Sequence, residues 1–123
     1  MGDEQPPRVG MGPDALDIRT LEKILDLPGV IAVSAFFEGF AVQSLGTADF
    51  DMVAAMAEDL LRAGMKTASN MKIGLFNQII LETSAGKFII APYGDLFLCI
   101  YTGVDANLGL IRVSLKSIQN ALH

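Results

Sequence analysis

The chain has no tryptophan, one cysteine and one histidine in 123 residues, and each scarcity closes off a class of chemistry. Cys99 has no partner for an internal disulfide, so the domain must rest on its core, as suits a reducing cytoplasm. A lone histidine at the last position, His123, leaves Ser/His/Asp and Cys/His catalysis without a base. One cysteine and one histidine also fall short of a structural zinc site. Basic residues are few as well: nine Lys and Arg are spread along a chain of net charge −5. That excludes the clustered basic footprint of a nucleic-acid binder and the basic amphipathic helix that lies on anionic membranes. No apolar run reaches the roughly 18–20 residues needed to span a bilayer. The opening "MGDEQPPRVGMGPD" lacks the basic start and apolar centre of a signal peptide. Met1-Gly2 has the form of an acylation start, but Pro6 stands where that signal wants Ser or Thr.

What is present is apolar. About half the residues are hydrophobic, enough for one sizeable core and, at this length, one domain. Residues 1–12 read as a flexible leader and 13–123 as the domain. Pro13 suits the first turn of a helix, with Asp14 and Asp17 near its positive end. Leu16, Ile18, Leu21, Ile24 and Leu25 supply its apolar stripe, and "DLPGV" stops it. "VIAVSAFF" and "FAVQSLG" read as strands joined by Glu38-Gly39, a two-residue hairpin turn. From Asp49 the period changes to that of a long helix, capped by Thr47 or Asp49 and closed near Lys66 and Lys72. Its inner face runs through Val53, Met56, Ala57, Leu60, Leu61, Gly64, Ala68 and Met71, with Met52 and Met65 turned toward a surface. "IGLFNQIILET", "KFIIAPY" and "LFLCIYT" read as three more strands, separated by "SAGK" and "YGD". Asn107 caps a last helix carrying Leu108, Ile111, Leu115, Ile118 and Leu122. The order is α-β-β-α-β-β-β-α. Short turns imply antiparallel pairing with the long helix as the one crossover, and strands apolar on both faces require cover on both sides.

No catalytic, cofactor or metal site emerges. "GVDANLGLIR" has Gly103 and Gly109 at a strand-to-helix turn, yet it matches neither GxGxxG nor GxxxxGK. Asp105 also puts a negative charge where a phosphate would sit. The stretch reads as a helix cap with a close-packing glycine at Gly109. Cys99 lies between Leu98 and Ile100 and reads as a small buried hydrophobe. Glu58, Arg62 and Lys66 follow at spacings of four on the long helix and mark a solvated face, available for contact with a partner. Phe36, Phe37, Phe40 and Phe97 could line a small-molecule pocket against the sheet, although core packing accounts for them equally.

The surplus of apolar surface is more informative. "IGLFNQIILET" follows the crossover directly, so it falls at a sheet edge, long, flat and unprotected by Pro or Lys. The helix before it is rich in small residues, Ala54, Ala55, Ala57, Gly64 and Ala68, which allow close approach of another helix. Edge and helix together suggest a two-fold dimer. The candidate interface is Leu61, Gly64, Met65 and Ala68 with Leu75, Asn77, Ile79 and Leu81.

"LPGV" ahead of the first strand, "FFEGFAV" across the hairpin and "DANLGLIRVSL" opening the last helix resemble the roadblock (dynein light chain) family, which includes MglB-like regulators of Ras-like GTPases. The resemblance covers about Asp14 to Leu122; Glu38-Gly39 stands where Asp-Gly is frequent. It implies an α/β/α sandwich around a five-stranded antiparallel sheet, the long helix on one face and the two terminal helices on the other. It further implies dimers joined through the third strand and the long helix, no cofactor, and a cytoplasmic, non-enzymatic module. Such a module binds and regulates a small Ras-like GTPase, the chemistry belonging to the partner. A structural adaptor and a small-molecule sensor are the alternatives.

Overall fold

The computed structural model describes residues 16–121. The expected leader and the Pro13, Asp14, Leu122 and His123 positions lie outside these residues. Among the described residues the chain forms three helices and five strands. They are α1 (Ile18–Leu25), β1 (Val30–Phe37), β2 (Phe40–Gly46), α2 (Phe50–Met71), β3 (Ile79–Glu82), β4 (Lys87–Tyr93), β5 (Leu96–Thr102) and α3 (Leu108–Asn120). The strands pair antiparallel in the order β2-β1-β5-β4-β3, so α2 carries the chain from one sheet edge to the other.

Local chemistry sets the element ends. Asp17, Asp49 and Asn107 each accept a backbone amide, from Arg19, Met52 and Leu110, and so cap α1, α2 and α3. The Arg19 amide also holds the Asp17 carboxyl below the usual carboxylate range. Asn107→Ala is expected to cost about 1 kcal/mol in a denaturant melt, because the first-turn amides of α3 lose their acceptor. At Glu38 and Gly39 φ is +51° and +84°, and Phe37 faces Phe40, which is the expected two-residue hairpin turn. A bulge at Val42 follows, between the Ala35 and Phe36 pairings.

The two sheet faces carry separate cores. Leu21 and Ile24 of α1 and Ile111 and Leu115 of α3 pack on Val33, Ala35, Ile89, Leu98 and Ile100. Ala54, Ala57 and Leu61 of α2 pack on Phe36, Ile90 and Cys99 from the other side. Long helix and terminal helices therefore lie on opposite faces, as expected.

Three expectations about local structure give way. "IGLFNQIILET" forms only four residues of strand. Lys72 ends α2 in the left-handed region, φ +56°, and Gly74 follows at φ +91°. The chain turns twice before it can extend, so residues 73–78 run irregularly and Leu75 projects fully into solvent, 97% exposed. Secondly, Met56 and Met71 are exposed rather than core. At 22 residues α2 is about 33 Å long. Met56 lies about 140° round the helix from buried Leu61, at roughly 100° per residue, and Met71 is the last residue of α2, so neither is drawn onto the sheet. Thirdly, Gly109 is exposed, and a Cβ there would meet only the Asn107 Oδ1 at 3.3 Å. The close-packing glycine is Gly29. Leu27-Pro28-Gly29-Val30 is a turn closed by the Val30 amide on the Leu27 carbonyl, with Gly29 at φ +85°. A Cβ on Gly29 would lie 2.7 Å from the Ala106 Cα, and the Gly103 amide donates to the Gly29 carbonyl at 2.9 Å. "LPGV" and "DANLGL", far apart in sequence, thus pack on each other.

Candidate interaction surface

Groups that could do chemistry are placed elsewhere than in a cleft. Cys99 is buried mid-sheet under α2, and burial pushes its thiol well above the ordinary range. Asn107 spends its side-chain oxygen on the α3 amide, so the turn "VDANLG" is a cap. Among the described residues no group of three His, Cys, Asp or Glu side chains could hold a metal ion. No helix among them is long and apolar enough to cross a membrane. The four phenylalanines do not share one pocket. Phe36 and Phe97 stack under α2 with centroids 5.8 Å apart, while strand alternation sends Phe37 and Phe40 to the opposite face, where Phe40 is 75% exposed.

The side of the molecule built by α2 and β3 is different. β3 ends the sheet, so one backbone edge is unpaired among the described residues. Around it stand seven exposed large apolar side chains: Met52, Met56, Met65, Met71, Ile73, Leu75 and Leu81. Two grooves flank the strand. One, of about 520 Å³, lies between the C-terminal half of α2 and the β4–β5 turn and is lined by Met65, Ala68, Leu75, Phe76, Pro92 and Phe97. The other, of about 320 Å³, lies between the N-terminal half of α2 and the β3–β4 turn, lined by Met52, Met56, Leu81, Phe88 and Tyr101 among others. Soft, unbranched methionines along both grooves suit a surface that adapts to what it binds.

The eight candidate interface residues divide over this side. Met65, Leu75, Asn77 and Leu81 are exposed, and Ile79 is half-buried with its outer edge open. Leu61 and Ala68 are buried within the protomer. Gly64 serves the protomer too, since a Cβ there would come within 2.6 Å of the Ile79 Cδ1. The small residues Ala54, Ala57, Gly64 and Ala68 therefore draw α2 onto its own sheet, leaving Ala55 outside. On the flank of α2, Glu58 and Arg62 pair at 3.4 Å and Arg62 reaches Asp59 at 4.0 Å. Arg62 and Lys66 are exposed, so the three candidate contact residues form one charged stripe beside the apolar grooves. Periodicity missed Phe88, Tyr101 and Pro92, which belong to β4 and β5 and reach the grooves only through sheet order, while Phe97, one of the four aromatic candidates, does line the first groove.

Comparison with known proteins places this architecture. A family model described as the Roadblock/LC7 domain matches residues 17–102. Two uncharacterized proteins of Methanocaldococcus jannaschii are each 31% identical over 96 residues, covering 78% of this chain and 84% of theirs. Among solved structures, the gliding protein MglB of Thermus thermophilus superposes with a TM-score of 0.78 at 17% identity, over 90% of this chain and 88% of that one. A Roadblock/LC7 domain from Streptomyces avermitilis gives 0.77 at 14% identity, over 85% and 92%. MglB of Myxococcus xanthus gives 0.76 at 16% identity, over 85% and 82%.

Proposed function

The chain belongs to the Roadblock/LC7 domain family, and from that premise we propose that it is a cytoplasmic, non-enzymatic module that pairs with a second copy of itself and regulates a small Ras-like GTPase. The observation that carries this reading is the α2–β3 side, where an unpaired sheet edge, seven exposed apolar side chains and two apolar grooves lie together. Edge-to-edge pairing of two β3 strands would satisfy the open backbone groups and cover the apolar rim in one step. The stripe of Glu58, Arg62 and Lys66 would then meet the GTPase. The fold likeness to MglB supports the choice of partner class.

The test mixes the full chain with a purified Ras-like GTPase bearing the GxxxxGK[ST] motif, loaded with GTP or GDP, and follows binding and phosphate release. Faster release supports regulation. Tight binding with unchanged release makes the protein a structural adaptor, and no binding in either nucleotide state removes the partner altogether. Arg62→Glu with Lys66→Glu is expected to weaken partner binding about tenfold while leaving self-association unchanged, since exposed contacts of this kind each contribute up to about 1 kcal/mol.

A further inference from the structure

The chain leaves α2 along a fixed path. The Lys72 and Ile73 amides donate to the Ser69 and Ala68 carbonyls, and Lys72 at φ +56° closes the helix as a left-handed cap. Residues 73–78 then run outside the sheet and carry Leu75 at 97% exposure. Leu75 stands on the rim of the first groove without filling it, so no described residue of its own protomer covers it. The second groove, of about 320 Å³, lies past the other end of β3. Leu81, Thr83 and Ala85 line it below Met52 and Met56. An uncovered leucine and an open apolar groove therefore stand at opposite ends of one four-residue strand.

Backbone hydrogen bonding would bring the two together across a pair of copies. The Thr83 amide donates to the Gly86 carbonyl to close the β3–β4 turn, and bonding to β4 alternates back along β3 from there. Leu81 and Ile79 thus bond to β4, while Ile80 and Glu82 turn their backbone groups to the open edge. Two such edges pairing antiparallel about a two-fold axis must set residues of the same sheet face opposite each other. Ile80 opposite the partner's Ile80 meets that condition and sets Ile79 against the partner's Leu81, apolar on apolar. The next allowed register would set Ile80 against Glu82 instead. With Ile80 on the axis, Leu75 comes level with the partner's Ala85. The axis runs perpendicular to the sheet, so both α2 helices share one face, the face on which Leu75 and the second groove lie.

We propose that each copy lays its 73–78 segment over the other's β3–β4 turn, with Leu75 entering the groove beside Ala85, and that this reciprocal exchange selects which chains pair. The exchange rests on the self-pairing reading given above. A foreign edge that lacks either the knob or the groove leaves an exposed leucine at one end and an empty groove at the other. The match therefore favours a second copy of this chain over other open strands.

Single-cysteine variants of the full chain test the exchange. Leu75→Cys and Ala85→Cys each alter an exposed residue and the native Cys99 is buried, so circular dichroism should be unchanged. Mixed and mildly oxidised, the two variants should give a disulfide-linked dimer that a reductant releases. Neither should do so alone, because like positions lie about 30 Å apart along the paired strands, beyond the roughly 7 Å that a disulfide spans. A charged pair tests selection. Leu75→Lys and Ala85→Glu should each weaken self-association about 30-fold or more, by placing two unpaired charges in the joint. Mixed together, they should form the heterodimer at least about tenfold in preference to either homodimer, since opposite charges meet at one end and the native match persists at the other. A wild-type chain that sediments as a monomer would remove self-pairing and the exchange with it. A wild-type dimer whose mixed cysteine variants give no cross-link, or whose Leu75→Cys chains link to one another, would overturn the exchange and leave self-pairing standing. Charged variants that show no preference for each other would do the same.

Discussion

Leu81→Lys is expected to weaken self-association about 100-fold or more, turning a dimer at ten-micromolar concentration into monomer by sedimentation velocity. The side chain is half-exposed on β3 and lines the groove with Met52 and Met56, so an ammonium there costs the protomer little, under about 1 kcal/mol. Against a second β3 edge the same ammonium would be buried without a partner, at a cost of several kcal/mol. Ile79 is a poorer probe than periodicity suggests. Its Cδ1 sits over Gly64 and it packs against the α2 core, so Ile79→Lys would unsettle the protomer along with any interface. Leu75→Lys supplies the complementary control, since Leu75 touches almost nothing in the protomer. A wild-type chain that sediments as a monomer, or a Leu81→Lys variant that stays dimeric with Leu75→Lys, would rule out the α2–β3 side as the joint.

The second large effect concerns Gly29→Ala, expected to destabilise the protomer by about 3 kcal/mol or more and lower Tm by about 10 °C. Two costs add. At φ +85° an alanine enters a conformation that L side chains avoid, and its Cβ would press on the Ala106 Cα and N at 2.7 and 2.8 Å. Those atoms are backbone and cannot rotate away, so the α1–β1 turn and the β5–α3 turn would have to separate. Gly109→Ala is the contrast: φ there is not positive and the one close atom, the capping Asn107 Oδ1 at 3.3 Å, has to give only a few tenths of an ångström, so the change should cost less than about 1 kcal/mol. Equal melting of the two variants would contradict this account of the two glycines.

The motifs carrying the family resemblance prove to be structural. "LPGV" holds a tight turn, "DANLGL" holds a helix cap, and the two meet at Gly29 and Ala106. Neither forms a binding loop. At that meeting point the backbone of the α1–β1 turn comes up against the backbone of the β5–α3 turn.

The sequence by itself determined the element order, the cap at Asn107, the Glu38-Gly39 turn and the edge position of β3, whereas the structure chose Asp49 over Thr47 as the cap of α2 and moved the start of α1 from Pro13 to Ile18, making Asp17 its cap. Each depends on neighbours within about four residues, or on an alternation that one strand or one helix carries alone. Only the tertiary structure decided which apolar residues stay outside. Met56 and Met71 belong to the same apolar pattern as Leu61, yet that pattern is too broad to fix which arc of the helix meets the sheet. Gly64, Ala54 and Ala57 likewise show that small residues admit a neighbour without saying which, and here the neighbour is the chain's own sheet. Local energetics select elements; the free apolar surface is what remains after they have packed.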